Sequence, residues 1–199
     1  MSTADARIAG VLLAAGTSSR FGDENKLLVD IDGIPIVRHA ANTLVGSGVD
    51  PVVAVVGCDA DAVAAALDGL PIELVENPEF ATGQASSVRT GVATIADRSD
   101  AVVIALGDMP HVSIESIEKL LDAYREGRGD ALAVAYNGER GNPVLFDQRW
   151  YDQLQHIDGD VGGRGILQEW GTLIETRDPG VRYDIDRPDD ISDHRDAGV

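Results

Sequence analysis

The sequence predicts an α/β fold in three layers, a Rossmann-like arrangement with helices on both faces of a mostly parallel sheet. Short apolar runs alternate with longer segments of helical periodicity, which is the pattern of parallel strands joined by crossover helices. The apolar runs are nearly continuous, as expected for strands that are covered on both faces. Hydrophobic residues make up 44% of the chain and aromatic residues only 5%, which favours a core of aliphatic side chains.

The predicted elements follow one another with little space between them. Strands are expected over 8–15, 52–56, 72–75, 101–106 and 131–136. Helices are expected from Pro35 to Leu44 and over 59–67, 84–96 and 113–125. Beyond residue 136 the alternation loosens into a turn and short strand over 140–146, a loop over 158–164 that opens a helix at Ile166, and a last strand over 181–185.

The length of the chain favours one domain. We expect a single domain over 1–199 with a core of about 7–192, because 199 residues are too few for two comfortable domains. No repeat or low-complexity segment divides the sequence. Since it contains neither an apolar run of about 18 residues nor a recognisable secretory signal, we expect a cytoplasmic protein without a membrane partner.

The charge of the chain is strongly acidic. Asp and Glu outnumber Lys and Arg by 34 to 16, which gives a formal net charge of −18. A nucleic-acid partner is not expected, because phosphate backbones require a basic footprint. Most of the acidic residues are Asp and lysine is nearly absent, a composition similar to that of proteins from salt-loving organisms. High salt would screen the self-repulsion of such a surface.

The loop after the first strand carries small residues and then two cations. Backbone N–H groups over 16–19 can approach an anion closely, and Arg20 and Lys26 add positive charge. Neither the Walker spacing nor G-x-G-x-x-G occurs here, and an ordinary turn with solvated cations is the alternative interpretation. The chain has 14 Arg but only two Lys, Lys26 and Lys119, which favours a functional position for Lys26. The stretch therefore predicts a phosphate cradle.

Acidic residues follow two other predicted strands. Asp108 comes directly after the strand over 101–106, at a carboxyl end, where open parallel sheets bind their ligands. Near the end of the sequence Asp184 and Asp186 are two residues apart and would share one face of a strand. We interpret Asp108 and Asp186 as metal ligands. The alternatives are a turn aspartate for Asp108 and an ordinary acidic surface cluster for Asp186.

A third stretch, over 77–91, feeds the predicted helix over 84–96. Its first turn carries Ser86 and Ser87, and a helix N-terminus with small hydroxyl residues can bind an anion or a base edge. Simple helix capping by these serines is the alternative, since Ser and Thr cap most helices.

The motif L-A-A-G-x-S-x-R-x-G followed by Lys resembles the signature of the MobA-like nucleotidyltransferases, most closely their molybdenum-cofactor cytidylyltransferase branch. Gly-Asp-x-Pro at 107–110 is similar to the magnesium-binding motif of that family, and the resemblance covers about residues 7–192. It implies a fold of the nucleotide-diphospho-sugar transferase type. It also implies catalytic roles for Arg20, Lys26 and Asp108, and Mg²⁺ held by Asp108 and Asp186. The implied nucleotide-binding residues are Leu13, Ala14, Ala15, Gly16, Thr17, Ser18, Ser19, Arg20, Lys26, Asn77, Gly83, Ser86, Ser87 and Gly107.

Two later motifs resemble the acceptor side of the cytidylyltransferase branch. Residues 141–146 are similar to G-H-P-V-x-F, with Asn142 where His is usual, and residues 159–164 are similar to G-D-x-G-x-R. The tail resembles D-I-D-T-P-x-D, with Arg187 where Thr is usual. The implied acceptor-binding residues are Asn142, Pro143, Asp160, Gly162 and Arg164.

The activity implied by the resemblance is transfer of CMP from CTP to the phosphate of molybdopterin or molybdenum cofactor, with release of pyrophosphate. A molybdoenzyme of the xanthine dehydrogenase type would then be the protein partner. Two alternatives stay open. One is guanylyl or other nucleotidyl transfer to a different phosphorylated acceptor, such as a sugar phosphate or phospholactate. The other is a non-catalytic nucleotide-binding accessory protein for molybdoenzymes.

Overall fold

The computed structural model describes residues 3–18, 21–22, 24–156 and 163–191. Its strands are β1 (Ile8–Ala14), β2 (Asp30–Ile31), β3 (Ile34–Pro35), β4 (Val52–Val56), β5 (Glu73–Glu76), β6 (Ala101–Leu106), β7 (Ala131–Tyr136), β8 (Glu139–Asp147) and β9 (Thr172–Glu175). Its helices are α1 (Ile36–Gly46), α2 (Ala60–Ala66), α3 (Gln84–Ile95), α4 (Ile114–Arg125), α5 (Tyr151–Gln155) and α6 (Arg164–Trp170). Within these described ranges, no helix is both long enough and apolar enough to cross a membrane.

Seven of the strands in the described part of the chain form one sheet in the order β5-β4-β1-β6-β8-β7-β9. β1 lies between β4 and β6 and is parallel to both, with Gly10 opposite Val52 and Ile8 opposite Ala101. β8 runs antiparallel to its two neighbours, β6 and β7, whereas β9 is parallel to β7. The prediction of a mostly parallel sheet is confirmed. Because β1, β4 and β6 run the same way, their carboxyl ends meet at one edge of the sheet.

Helices cover both faces of this sheet, as predicted. On β1 the side chain of Leu12 packs with Leu44 of α1 and Leu120 of α4 in the core on one face. Val11, the preceding residue, belongs to the core on the other face, together with Val92 of α3. Successive residues of a strand point to opposite faces, so the continuous apolar run supplies both cores. Six of the seven β1 residues are buried and only Leu13 is partly exposed, in keeping with a strand covered on both sides.

Gly91 allows α3 to lie very close to the centre of the sheet. A Cβ atom at this position would overlap the side chain of Val11 and would meet Val55 at 3.1 Å. The absence of a side chain therefore brings the helix directly against β1 and β4. This close packing places the first turn of α3 beside the carboxyl ends of those strands.

The predicted strand over 181–185 is wrong. Pro179–Arg182 is a short 3-10 turn, and its geometry is fixed by Asp178, whose carboxylate accepts hydrogen bonds from Gly180 N and from Ser113 N, each at 2.8 Å. The proline at the first turn position also favours this geometry. Val181 and Ile185 are both fully buried, so the apolar spacing reflected burial rather than strand pairing.

Two elements of the last third were not predicted. β9 is a short strand on the edge of the sheet, and only Ile174 of its four residues is fully buried. Its sequence therefore carries little periodic signal. α5 follows β8 and buries Tyr151 and Leu154 against α3. β8 itself is longer than the predicted segment over 140–146, because it pairs along most of its length with two neighbours.

Candidate active site

The loop after β1 is tied to the segment that carries Lys26. Ser18 Oγ donates to Asn25 Oδ1 at 3.2 Å and accepts from Lys26 N at 3.1 Å. Asn25 Oδ1 also accepts from Leu27 N at 3.0 Å and so caps the 3-10 turn Lys26–Leu28. The backbone around Lys26 is thus held by side chains on both sides of the loop. Ser19 and Arg20, both predicted to bind nucleotide, lie outside the described residues.

The side chain of Lys26 lies between two carboxylates. Its Nζ is 2.7 Å from Asp108 Oδ2 and 2.9 Å from Asp186 Oδ1, and only 12% of the side chain is exposed. Burial acts to lower the pKa of Lys26, but attraction and hydrogen bonding to Asp108, followed by those to Asp186, outweigh it and raise the pKa. The lysine is therefore charged and held at the end of β6.

Three carboxylates converge beside this lysine. One oxygen each from Asp108, Asp184 and Asp186 lies within 4.8 Å of the others. Ile185 N donates to Asp108 O at 2.9 Å, which ties the tail to the end of β6. The structure thus brings together Asp108 and Asp186 as predicted, and adds Asp184. It does so although the tail segment is not a strand.

The chemistry of this cluster fits a divalent cation such as Mg²⁺. Carboxylate oxygens are the ligands that hard cations prefer. Asp108 Oδ1 is buried and has no hydrogen-bond partner among the described residues, so it has an unused acceptor position. Partial burial, followed by the negative charge of Asp108, raises the pKa of Asp184. A bound cation would relieve this repulsion between carboxylates.

The first turn of α3 is held together by hydrogen bonds of Asn77 and Ser86, two residues that were predicted to bind nucleotide. Asn77 is buried, and its Nδ2 donates to Ser86 Oγ at 2.8 Å and Ser87 Oγ at 3.0 Å. Ser86 Oγ in turn donates to Gly83 O at 2.8 Å. Asn77 and Ser86 therefore hold the turn in place from behind. Gly83 and Ser87 reach the surface of the adjacent cleft.

A cleft of about 370 Å³ opens between the β1 loop and the start of α3. Among the residues predicted to bind nucleotide it is lined by Leu13, Ala15, Gly16, Thr17, Ser18, Lys26, Gly83 and Ser87. Ala14 is buried in the core, and Gly107 lies behind the cleft, where its N–H donates to Leu13 O at 2.9 Å. We refer to this space as the first cleft.

A second cleft of about 300 Å³ adjoins the first. The two share four lining residues, Leu13, Gln84, Leu106 and Asp108. Asn142 and Arg164, two of the predicted acceptor-binding residues, line the second cleft, but Pro143 lines a separate small cavity. Asp160 and Gly162 lie outside the described residues. The carboxylate cluster thus stands where the two clefts meet.

Sequence reasoning missed several residues of the second cleft. Arg140, Gln84 and Asp184 line it and had no assigned role. Arg140 stands directly before the Gly-Asn-Pro motif, so its position beside that motif was a usable signal. Gln84 gave none, because a polar residue at the start of a helix is common.

Comparison with known proteins places this geometry in a family. The profile of the MobA-like NTP transferase domain matches residues 10–175. The chain belongs to the MobA-like NTP transferase family. Membership confirms the predicted enzyme class, a nucleotidyltransferase. A divalent metal ion is typical of the enzymes in this family.

Two relatives within the MobA-like family align over most of this chain. A probable molybdenum cofactor guanylyltransferase of Natronomonas pharaonis is 38% identical over 193 residues, which cover 96% of this chain and 85% of the relative. The nicotine blue oxidoreductase of Paenarthrobacter nicotinovorans is 32% identical over 190 residues, which cover 90% of this chain and 92% of the relative. The names of these relatives describe different reactions.

Solved structures support the same fold. Rv0371c from Mycobacterium tuberculosis H37Rv has a TM-score of 0.77 and 26% identity, and the alignment covers 96% of this chain and 98% of that one. A complex of Rv0371c with manganese has a TM-score of 0.75 and 24% identity, with 94% of this chain and 97% of that one covered. The fold is that of the nucleotide-diphospho-sugar transferase type, as the resemblance implied.

Proposed function

We propose that this MobA-like protein transfers CMP from CTP to the phosphate of a pterin acceptor of the molybdopterin type and releases pyrophosphate. The observation that carries the proposal is that Asp108 lines both of the adjoining clefts, while Lys26 contacts both Asp108 and Asp186. One cleft would bind the triphosphate and the other the acceptor. The reacting groups would then meet at the carboxylate cluster.

The proposed reaction is an in-line displacement. An oxygen of the acceptor phosphate forms a bond to the α-phosphorus of CTP, the bond from that phosphorus to the bridging oxygen breaks, and the electron pair leaves with pyrophosphate. Because positioning and charge neutralisation supply most of the catalysis in phosphoryl transfer, no protein nucleophile is required. The residues of the two clefts need only align the phosphates and exclude misdirected water.

Lys26 has the charge and position to neutralise the reacting phosphorus. Its Nζ lies at the junction and is nearly buried, so its charge acts in surroundings with little water. Gly16 and Thr17 line the same cleft, and their backbone N–H groups would bind the outer phosphates together with Arg20. Asp108, Asp186 and Asp184 would hold Mg²⁺, which when bound supplies a positive charge to the triphosphate oxygens.

The preference for CTP is supported by Ala15. This residue is buried and its methyl group lies in the wall of the first cleft, beside Gly57. Related guanylyltransferases usually carry glycine at the position of Ala15, so the additional methyl group would leave less room for a purine base. The guanylyltransferase name of the Natronomonas pharaonis relative makes GTP the main alternative.

The pterin acceptor is supported by the resemblance and by the molybdenum cofactor relative, whereas the xanthine dehydrogenase type of partner enzyme is supported by the resemblance alone. Asn142, which lines the second cleft in place of the usual histidine, keeps a hydrogen-bonding side chain there. A different phosphorylated acceptor or a non-catalytic role would be compatible with the same fold. The carboxylate cluster fits a metal-dependent enzyme, because its three acidic groups exceed the single positive charge of Lys26 and could hold a cation as well.

The deciding experiment measures pyrophosphate release with Mg²⁺ and each of CTP, GTP, ATP and UTP, in the presence of molybdopterin, a sugar phosphate or phospholactate. We expect pyrophosphate release with CTP and molybdopterin, and a fall of about two orders of magnitude or more in Asp108→Asn. A parallel thermal-unfolding assay should show greater stabilisation by CTP than by GTP. Equal stabilisation by all four triphosphates would remove the basis for base selection. Binding without pyrophosphate release from any acceptor would favour the accessory role.

A further inference from the structure

The side chain of Asn25 joins three segments at the edge of the first cleft. Its Oδ1 accepts hydrogen bonds from Ser18 Oγ in the β1 loop at 3.2 Å and from Leu27 N in the 3-10 turn at 3.0 Å. Its Nδ2 donates to Asp59 Oδ2, in the segment between β4 and α2, at 3.1 Å. The residue directly before Lys26 is thus tied to the loop after β1 and to the loop after β4. We refer to these three hydrogen bonds as the Asn25 tether.

Asp59 does not have the role that its position usually gives an aspartate. It stands directly before α2, where an Asp side chain ordinarily accepts a hydrogen bond from the first turn of its own helix. In the described part of the chain its carboxylate forms no such capping bond. It accepts instead from Asn25 and, at 3.5 Å, from the thiol of Cys58. The carboxylate is therefore directed away from α2 and toward the segment that carries Lys26.

The backbone is left-handed at two of the residues that Asn25 contacts. Ser18 and Asp59 both have φ of +51°, a conformation that is uncommon outside glycine. Among the described residues only two other non-glycine residues, Asp32 and Asn137, have positive φ. Such conformations persist where the surroundings enforce them, and they are concentrated at functional sites. Two of these four unusual residues therefore meet at one amide.

Lys26 requires a second attachment once the site is loaded. Its Nζ contacts Asp108 Oδ2 and Asp186 Oδ1, and carboxylate oxygens are also the ligands of a divalent cation. When a cation takes these oxygens, the flexible stem of the lysine loses its fixed end. The position of its charge then depends on the backbone. The Asn25 tether uses neither carboxylate of the cluster, so it remains in place when the ion pairs are exchanged.

We propose that Asn25 and Asp59 are positioning residues, which keep Lys26 directed at the first cleft while Asp108 and Asp186 hold the metal. Neither Asn25 nor Asp59 is among the residues that line the two clefts, so both act through Lys26. Electrostatic catalysis depends on charges that are fixed before the reaction begins. This role rests on the proposed function, which assigns Lys26 to the reacting phosphorus, and extends the catalytic machinery to a loop remote from the substrates.

The position of Lys26 can be followed directly, because the chain contains only two lysines. Protein labelled with ¹³C-lysine gives side-chain NMR signals for Lys26 and Lys119, and Lys119→Ala assigns them. The order of each Cε is measured in the free protein, with Mg²⁺, and with Mg²⁺ and CTP but no acceptor. We expect Lys26 to stay ordered in the wild type and to become as mobile as Lys119 in loaded Asp59→Gly. Equal order of Lys26 in both loaded proteins would overturn the tether.

Asp59→Gly separates positioning from folding. Glycine adopts φ of +51° without strain, so the midpoint of thermal unfolding should stay nearly unchanged. The kcat for pyrophosphate release should fall by about tenfold with little change in KM for CTP, because a misplaced lysine acts mainly on the transition state. Asp32→Gly is the matched control, since it makes the same change at a left-handed aspartate that lines neither cleft. An equal fall in kcat in both variants would overturn the proposal.

A reciprocal exchange tests the hydrogen bond itself. Asn25→Asp places a second carboxylate opposite Asp59 and should lower kcat by about tenfold or more. Adding Asp59→Asn supplies an amide that can donate to the new carboxylate, so the double variant should recover to within about threefold of the wild type. Failure of the exchange to restore kcat and the order of Lys26 would overturn the tether.

The lysine measurement also keeps the two proposals apart, because it requires no turnover. Loss of Lys26 order in loaded Asp59→Gly, from a wild type that releases no pyrophosphate with any acceptor, would support the tether and contradict the proposed function. Active wild-type protein whose Lys26 order and kcat are the same in Asp59→Gly would contradict the tether alone.

Discussion

The two clefts differ in how the protein itself balances their charges. In the first cleft the cation Lys26 is held by two carboxylates, so the described residues already neutralise it. In the second cleft Arg140 and Arg164 have no carboxylate partner in the part of the chain that the structure describes. A ligand in the first cleft therefore has to take over the partners of Lys26. A ligand in the second cleft meets two arginines that form no ion pair with described residues, together with the carboxylates of Asp108 and Asp184. The charge of each substrate is expected to matter in a different way on the two sides.

In the first cleft, metal and triphosphate are expected to bind together. Lys26 occupies Asp108 Oδ2 and Asp186 Oδ1, so a cation bound through these two oxygens would displace Lys26, for which the triphosphate supplies another anion. Removing a single member of this set leaves the others with unbalanced buried charge, which costs more than the loss of one contact. Substitutions in the cluster should therefore have the largest effects in the molecule.

The largest effect is expected for Asp108→Asn. The amide keeps the shape of the side chain but removes an anionic ligand, so turnover should fall by about two orders of magnitude or more, equivalent to ~2.7 kcal/mol of transition-state stabilisation. Steady-state pyrophosphate release is the measurement, and thermal unfolding checks that the fold is retained. Asp122→Asn on α4, which removes an exposed carboxylate that lines neither cleft, is the matched control. Comparable losses in both variants would argue against a special role for Asp108.

A smaller loss of turnover, about ten- to a hundredfold, is expected for Lys26→Ala. The positive charge is needed most where negative charge develops during transfer, so kcat should fall more than the affinity for CTP. Lys119→Ala is the natural control, since Lys119 is paired with Glu115 on α4 at 3.0 Å. A rise in KM for CTP with unchanged kcat would mean that Lys26 serves only ground-state binding.

The pair Asp108→Asn and Asp186→Asn tests whether the two carboxylates act on one ion. If they do, the first substitution already disables the ion and the second adds little, so the double variant should lose about 1–3 kcal/mol less than the sum of the single losses. Rates of all four proteins, measured at saturating CTP, give this coupling directly. Strictly additive losses, or wild-type rates in Asp186→Asn, would mean that Asp186 does not bind the same ion as Asp108 and is an ordinary surface carboxylate.

The smallest expected effect is on stability and concerns the acidic surface outside both clefts. With a net charge of −18 and about 1 kcal/mol for a close unscreened pair of charges in water, many carboxylate contacts should cost stability in dilute buffer. The midpoint of thermal unfolding should therefore rise steadily as potassium chloride is added to molar concentration. A flat response would indicate that the acidity does not limit stability.

The parallel half of the fold could be predicted because its signals are local. The apolar runs that became β1, β4 and β6 are buried on both faces, and Asp108 follows β6 directly, so its place at the edge of the sheet followed from the sequence. The antiparallel insertion of β8 between β6 and β7 could not be predicted in the same way. Strand order depends on pairings between distant segments, which no short window contains.

The candidate site was predictable only in its individual residues. Lys26 and Asp186 are 160 positions apart in the chain, and no spacing rule predicts that they form an ion pair. The hydrogen bonds from Asn77 to the first turn of α3 could not be predicted either, because the same amide could have faced the cleft or the helix turn. Charged residues in an acidic chain give weak signals singly, and their meaning depends on which of them the fold brings together.

The burial of Ile185 holds the acidic tail at the candidate site, separately from the two cores on the sheet faces. It is fully buried in a small core with Phe21, Ile31 and Ile36, apart from the two cores on the sheet faces, and it stands between Asp184 and Asp186. A core of this size can open without unfolding the rest of the molecule, and its amides should exchange hydrogen with solvent before those of β1 and β6. Since a buried isoleucine contributes about 2–5 kcal/mol relative to alanine, Ile185 would set how often the tail detaches. The acidic cluster is assembled only while this small core is closed.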